Sequence, residues 1–442
     1  MRYYAAAALG LSLLASQRAL GQDPLADSAR APADSLRLGA LQEAAVMRDP
    51  RGRELAILNE QSRLRQANLR AERLPTITVQ GQAQYQSDVP TVPVRIPGAP
   101  PFPEPPKDTY DAHVAAGQTV YDPTIGARRA VEDAQLVEEQ ARLRAQLYPL
   151  RQDVNDAFFA ALQAQAQIAE LEHAITDLAA QQRVAAARVR EGTALASEER
   201  ALRAEILRRR QSVGEAGANR RAALAVLADL TGRTFDSSAL FAATDLGNDV
   251  ARVRDSLPVL RARPEYEQFA RQRAVLEEQE RARKSQELPR VSAFGRAGYG
   301  QPGLNPLNTG FDSYWLTGIQ LQWSPWTWGT SRRERQLLEL QRQILTAEEQ
   351  SFTNTIRRGV QQDAANIDRL EAVVRDDDEI VALRESILTE TRARFNEGVV
   401  TSADYVDRQT DVLSARTARA LHRVELAQAR ARFLNTLGVE VR

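Results

Sequence analysis

The sequence predicts a mainly α-helical chain with a transmembrane β portion, laid out as a duplicated strand–strand–long helix–short helix unit. Three observations predict it. The 442 residues run twice through the same order of segments. Each copy holds two stretches in which apolar and polar residues alternate, the period of a strand. Each copy then continues for about 70 residues almost without proline, at a helical period near 3.5. The first copy enters at Leu74-Pro75 and the second at Leu288-Pro289. Both reach an Arg-x-x-x-Gly break, at Gly192 and Gly398, and a final stop at Gly232 and Gly438, so that break and stop are 40 residues apart in each. A repeat near 200 residues is too long for a solenoid, so a whole structural unit is duplicated.

The elements follow in order. Residues 1–21 have a basic residue at Arg2, an apolar core over 5–15 and a small-x-small site at Ala19-Leu20-Gly21. That is the pattern of a secretory signal peptide, too short to span a membrane. Residues 22–33 read as a flexible mature N-terminus. The first repeat covers 34–232, a linker 233–258, and the second repeat 259–438. There is no cysteine, which excludes disulfides and a thioether lipid anchor and suits export. Without Arg2 and Arg18 the chain has 56 basic against 58 acidic side chains. That balance argues against a nucleic-acid partner.

Strands are expected over about 75–88, 109–121, 289–300 and 312–324. Ile77, Val79, Gly81, Ala83 and Tyr85 alternate with Thr78, Gln80, Gln82 and Gln84; Tyr110, Ala112, Val114 and Ala116 alternate with Asp111 and His113. Val291, Ala293, Gly295, Ala297 and Tyr299 form the third set, and Trp315, Thr317, Ile319, Leu321 and Trp323 the fourth. Such apolar-out, polar-in strands with terminal aromatics match a transmembrane β-barrel. No stretch after the signal is long and apolar enough for a membrane helix. Four strands cannot close a barrel, since the smallest common one has eight, so the chain must oligomerise. The loops between paired strands are proline-rich (88–108) and Gly/Asn/Pro-rich (300–312), and read as surface loops.

Long helical regions are expected over about 124–191 and 329–397. From Leu143 to Val189 apolar residues recur at alternating steps of four and three with one polar exception, Gln182, and Val360, Ile367, Val374, Val381, Leu388 and Phe395 stand every seventh residue, with Val373, Ile380 and Ile387 beside them. That is coiled-coil packing. At 1.5 Å per residue the longer rod measures about 100 Å. Pro149 either kinks the first region or separates two stacked helices. Return helices are expected over about 197–230 and 402–437, after turns at Gly192 and Gly398.

Several patterns resemble chemistry without supporting it. Gly295-x-x-Gly298-x-Gly300 has the wrong spacing for a nucleotide loop and lies within a strand. His113, His173 and His422 are far apart, so no metal site is expected. No catalytic residue or cofactor motif is found, and no enzyme is predicted. The run Asp376-Asp377-Asp378-Glu379 is either a solvated helix face or a lumen lining that favours cations.

Taken together, this plan resembles the TolC family of outer-membrane efflux proteins. The matching stretches are Leu74-Pro75 and Leu288-Pro289 entering strands, the aromatic-to-Gly turns over 121–126 and 323–329, and the segment from Arg394 through Gly398 to Asp404 and Asp407. The similarity spans the mature chain from about Leu36. It implies a homotrimer with a 12-stranded β-barrel in the outer-membrane lipid, continued by a periplasmic coiled-coil α-barrel, and it makes 233–258 part of an equatorial belt. It implies a passive exit duct of a tripartite efflux or type I secretion system, for drugs, metals or polypeptides. The implied partners are a periplasmic adaptor and an inner-membrane pump of RND, ABC or MFS type. A pair of aspartates narrows the closed aperture in this family, and the match falls on Asp404 and Asp407. Their spacing of three places both on one helix face; helix capping after Ser402 is the other reading of Asp404. The resemblance also marks Ser197, Glu198 and Phe395 as latch candidates. Val400 stands where well-known members have Arg. The tip residues Arg190, Gly192, Arg394 and Gly398 are candidates for adaptor contact. The competing class is a non-channel periplasmic coiled-coil adaptor or envelope scaffold. An adaptor would have lipoyl-like β-rich halves around a short hairpin, which this sequence lacks.

Overall fold

A computed structural model describes residues 37–90, 98, 104–236, 239, 241, 246–254, 262–305 and 308–440. The expected signal peptide and mature N-terminus, most of the proline-rich loop and parts of the 233–258 linker lie outside the described residues.

The four expected strands are β1 (Thr76–Tyr85), β2 (Asp108–Tyr121), β3 (Arg290–Gln301) and β4 (Asp312–Gln322). They form one antiparallel sheet in the order β1-β2-β3-β4. The β2–β3 pairing therefore joins the two repeats. Val79 lies opposite Val114, Val114 opposite Ala297, and Ala297 opposite Trp315, one apolar row across the whole sheet. On the reverse face the row is Gln80, His113, Gly298 and Tyr314. The ladder is interrupted near the end of β2, where Thr119 faces Ser292 and Tyr121 faces Val291. Val120 is thus an extra residue, and this bulge carries Tyr121 onto the apolar face that an unbroken register would deny it. Every residue of β1 is exposed, and Ile77, Val79, Trp315 and Ile319 are 73–79% exposed. An apolar sheet face this open has no core of its own.

The helices prolong the sheet. α1 (Leu38–Arg48), a short 3₁₀ turn and α2 (Glu54–Ala71) lead into β1; β2 leads into α3 (Pro123–Leu147). Asp122 caps α3, accepting from the Thr124 N–H at 2.8 Å, as its type favours at an N-terminus. α4 (Leu150–Arg190), α5 (Ala196–Thr231), α6 (Gly247–Arg254) and α7 (Pro264–Ser285) follow, then α8 (Thr330–Asn396) and α9 (Ser402–Leu437). Next to the sheet, α2, α3, α7 and α8 pack side by side in the order of the strands they adjoin. Farther on, α4 pairs with α5, α8 with α9, and α4 with α9.

Pro149 separates two helices. α3 stops at Leu147 and Pro149 is the N-cap of α4, where its missing N–H costs no helical bond. The second copy has no proline at the corresponding place, and α8 runs unbroken for 67 residues.

Two apolar clusters hold the rod. A mid-rod belt joins Leu38 and Leu41 of α1, Val154, Phe158, Phe159 and Leu162 of α4, Leu227 of α5, Ile367 and Leu370 of α8, and Phe433 and Leu434 of α9. A smaller tip cluster holds Leu178, Ala185, Leu202, Ile206, Phe395 and Tyr405. From the belt toward the tip, the α8–α9 seam pairs acidic side chains of α8 with basic ones of α9. Asp363–Arg432 (3.3 Å), Glu371–Arg430 (2.9 Å), Asp377–His422 (2.7 Å), Asp378–Arg423 (2.7 Å) and Glu385–Arg416 (2.6 Å) succeed one another. The acidic run at 376–379 is therefore partly a helix-pairing device, with Asp377 buried. The column Val373, Ile380, Ile387 behaves differently from its neighbour: Ile380 and Ile387 are exposed, whereas Ile367, Val381 and Phe395 are buried.

Candidate functional site

The candidate site is the end of the rod farthest from the sheet, where both hairpins turn. Two glycines make the turns. Gly192 and Gly398 have φ of +73° and +78°, a region that favours glycine. Both helices end in the same bonding pattern. The Gly192 N–H donates to Val189 O and the Thr193 N–H to Arg188 O; the Gly398 N–H donates to Phe395 O and the Val399 N–H to Arg394 O. This is a Schellman-type close, legible in the sequence as the repeated Arg-x-x-x-Gly. Arg190, Gly192, Arg394 and Gly398 are all exposed there.

Phe395, a latch candidate, is 1% exposed. Its ring stacks on Tyr405 with centroids 5.3 Å apart, and the Arg188 guanidinium lies over it at 5.7 Å. Arg188 Nη1 donates to Phe395 O at 2.9 Å, and Nη2 donates to Asn396 O. The first hairpin thus adds a second bond to the Phe395 carbonyl, which already accepts from the Gly398 N–H, and a donor to the Asn396 carbonyl at the open end of α8. Sequence reasoning missed both Arg188 and Tyr405. Arg188 is the first residue of the break motif, but its reach to the second hairpin is a tertiary fact. Ser197 is exposed and Glu198 half-buried in the first turn of α5; among the described contacts none joins either side chain to Phe395.

Asp404 and Asp407 are both exposed on α9. The N-cap is Thr401, one residue before the expected Ser402, and Asp404 completes a capping box with it. Thr401 Oγ1 donates to Asp404 Oδ2 at 2.7 Å and the Thr401 N–H donates to the same oxygen at 2.9 Å. The Thr401 hydroxyl, then its backbone N–H, hold the Asp404 carboxyl below the usual carboxylate range. This stabilisation is present above the unfolded carboxyl pKa and is lost as pH falls through the depressed folded value. So Asp404 does cap the helix. Asp407 takes no part in the box and makes no ion pair among the described residues. Asp411, one turn on, is held by Arg384 and Arg408, each at 2.9 Å. Asp407 is thus an uncompensated carboxylate on the tip surface. Among the described residues no cluster of side chains could hold a metal ion.

No protein-family model and no curated protein matches the sequence. Solved structures match the fold along nearly its whole length. The chain is similar to CusC, a transmembrane channel, with a TM-score of 0.65 over 91% of this chain and 92% of that one, at 13% identity. It is similar to the MtrE outer membrane channel of Neisseria gonorrhoeae, TM-score 0.63 over 92% and 90%, at 17% identity. It is also similar to the outer membrane protein VceC of Vibrio cholerae, TM-score 0.61 over 92% and 97%, at 14% identity. Identity this low speaks for the fold, and the fold is that of these outer-membrane channels.

Proposed function

We propose that this chain, with its outer-membrane-channel fold, is a TolC-type exit duct. Three copies close a 12-stranded barrel in the outer membrane and continue it as a helical tube through the periplasm. The single observation that carries this reading is the sheet. One face is apolar and open, and the other is polar and half-buried. The outer edges of β1 and β4 pair with no other strand among the described residues, and its helices continue in strand order. A transmembrane sheet must have no free edge, and twelve strands fall within the range of known barrels. The exposed Ile380, Leu383 and Ile387 of α8 are the matching helical surface for a neighbouring copy. The chain conducts passively. A periplasmic adaptor docks at Arg190, Gly192, Arg394 and Gly398, and the energy comes from an inner-membrane pump of RND, ABC or MFS type, in efflux or type I secretion. Purified protein in planar bilayers tests this reading: it should conduct ions as a trimer. A protein that stays monomeric and soluble without detergent, and does not conduct, overturns it.

Asp404 and Asp407 narrow the periplasmic aperture, three copies bringing six carboxylates toward the axis and favouring cations. Phe395, Ser197 and Glu198 belong to the contact that keeps the tips closed. Because Asp404 also caps α9, Asp407→Ala separates the two roles. It should raise conductance and weaken divalent-cation block while leaving the helix start intact. Unchanged conductance and block remove Asp407 from the gate.

A further inference from the structure

The polar face of the sheet is its crowded face. A Cβ added at Gly81, on the apolar face, would meet nothing within 4 Å, and one at Gly295 nothing nearer than 3.7 Å. On the polar face a Cβ at Gly298 would meet His113 Cβ at 2.6 Å, and one at Gly318 the Phe294 ring at 2.9 Å. Side chains converge on the concave side of a curved sheet and diverge on the convex side. The polar face is therefore the concave one, the side that becomes the inner wall when a sheet closes. Amides and hydroxyls cover much of it, with Thr78, Gln80, Gln82 and Gln84 on β1 and Gln320 and Gln322 on β4. Two arginines stand among them. Arg290, at the helix-side end of β3, has Asp122 at 3.8 Å. Arg296, at mid-strand between Ala115 and Leu316, makes no hydrogen bond and no ion pair among the described residues. It is half-buried, its Nε is enclosed without an acceptor, and its guanidinium lies 5.6 Å from the centre of the Tyr314 ring. The acid of this neighbourhood is already engaged. His113 Nδ1 donates to Asp111 Oδ2 at 2.5 Å, and the Tyr314 hydroxyl donates to Asp111 Oδ1. Asp111 is near enough to attract Arg296 but forms no ion pair with it.

We propose that Arg296 is an anion station on the inner wall of the duct, which takes the carboxylate or phosphate groups of solutes in transit. The inference rests on the exit-duct reading and deepens it by naming a substrate class. A guanidinium offers parallel N–H groups that fit a two-oxygen anion, and contact with the Tyr314 ring fixes one of its faces. The bonds from His113 and Tyr314 keep the Asp111 carboxylate from closing on Arg296 and taking the place of that anion. Three copies set three such guanidiniums at one height, and rings of arginine favour anions and phosphates in pores. Asp404 and Asp407 lie at the opposite end of the rod. Acid at the tips and base in the barrel thus act on separate stretches of the path.

Block of the single-channel current tests the inference. The purified full chain is inserted in a planar bilayer in potassium chloride, and tripolyphosphate or citrate is added to both chambers. Both anions should reduce the current, and the one that does so at the lower concentration identifies the preferred group. Arg296→Gln should raise the concentration for half block about tenfold, the loss of one charged hydrogen-bonding partner, and shift the reversal potential in a salt gradient toward potassium. Arg296→Lys keeps the charge and loses the fork, so its block should fall between the two. Tyr314→Phe changes no charge but frees Asp111 to pair with Arg296, and it should weaken block as well. A conducting, unsubstituted chain that neither anion blocks overturns the proposal, whichever variants fold. Equal block in Arg296→Gln overturns it too. Unchanged block in Tyr314→Phe overturns the positioning of Arg296 through Asp111. A protein that does not conduct at all overturns the duct reading, and this inference with it.

Discussion

Replacing Phe395 by alanine tests how the tips are held. The ring is 1% exposed, stacked on Tyr405 and covered by the Arg188 guanidinium. Removing a buried Phe side chain costs about 3–5 kcal/mol, of which roughly 0.5–1.5 kcal/mol is the aromatic stack. The tip cluster is separate from the mid-rod belt, so the loss should appear as local opening, with the body of the protein intact. At about 1.4 kcal/mol per factor of ten, amide exchange at the tip should accelerate by roughly two to three and a half powers of ten. The assay is hydrogen–deuterium exchange on detergent-solubilised protein. Peptides around Leu178, Leu202 and Tyr405 report the tip, and peptides around Phe158, Leu227 and Phe433 report the belt. Phe395→Leu should show a smaller acceleration. Equal acceleration in tip and belt would refute the division into two clusters, and unchanged tip exchange would refute the stacked contact as the tie.

Three further changes address the body of the molecule. A Cβ at Gly298 would stand 2.6 Å from His113 Cβ and 2.8 Å from Ala112 O, so Gly298→Ala should force β2 and β3 apart and lower the temperature at which the folded sheet is lost on a gel-shift assay; an unchanged transition contradicts the register. Arg209 is 2% exposed and bonds Glu205 at 2.9 Å. Glu205→Ala should therefore lower stability by about 3–5 kcal/mol, while Glu205→Leu with Arg209→Met recovers most of it, as read by denaturant unfolding. Burial raises the Asp363 carboxyl pKa, against the opposing Thr436 hydroxyl bond and Arg432 charge. Its ionised form then costs stability above the folded pKa, a cost that vanishes below the unfolded value of 3.8. Asp363→Asn should raise the melting temperature at neutral pH, and the advantage should shrink on acidification.

Much of this fold is legible in local pattern. The strands show themselves by a period of two, and their register preserves it from Val79 to Trp315. The seam of α4 and α8 shows itself by a period of 3.5. What stayed open was settled by backbone chemistry. Pro149 ends one helix and starts the next, and the Thr-x-x-Asp spacing places the cap at Thr401. Gly298 admits close approach of the His113 and Tyr314 side chains, and Gly300 that of the Tyr110 carbonyl and Asp111. The tip was less legible. Phe395 stands out in its heptad column, but Arg188 is 207 residues from it in sequence, and no periodicity reports a contact between two hairpins. The exposed Ile380 and Ile387 show the other limit: a heptad column marks an apolar face that no helix among the described residues covers.

The central claim is that the sheet closes between copies, β4 of one against β1 of the next. The absence of cysteine permits a direct measurement. One cysteine is introduced in β1 and one in β4, for example Val79→Cys with Ile319→Cys, and the pair is scanned along both strands before mild oxidation in the membrane. The account predicts that matched pairs yield a covalent trimer and stop there, because the ring is closed. Covalent dimers without trimer, an open ladder of larger species, or no cross-link along the scan would contradict it.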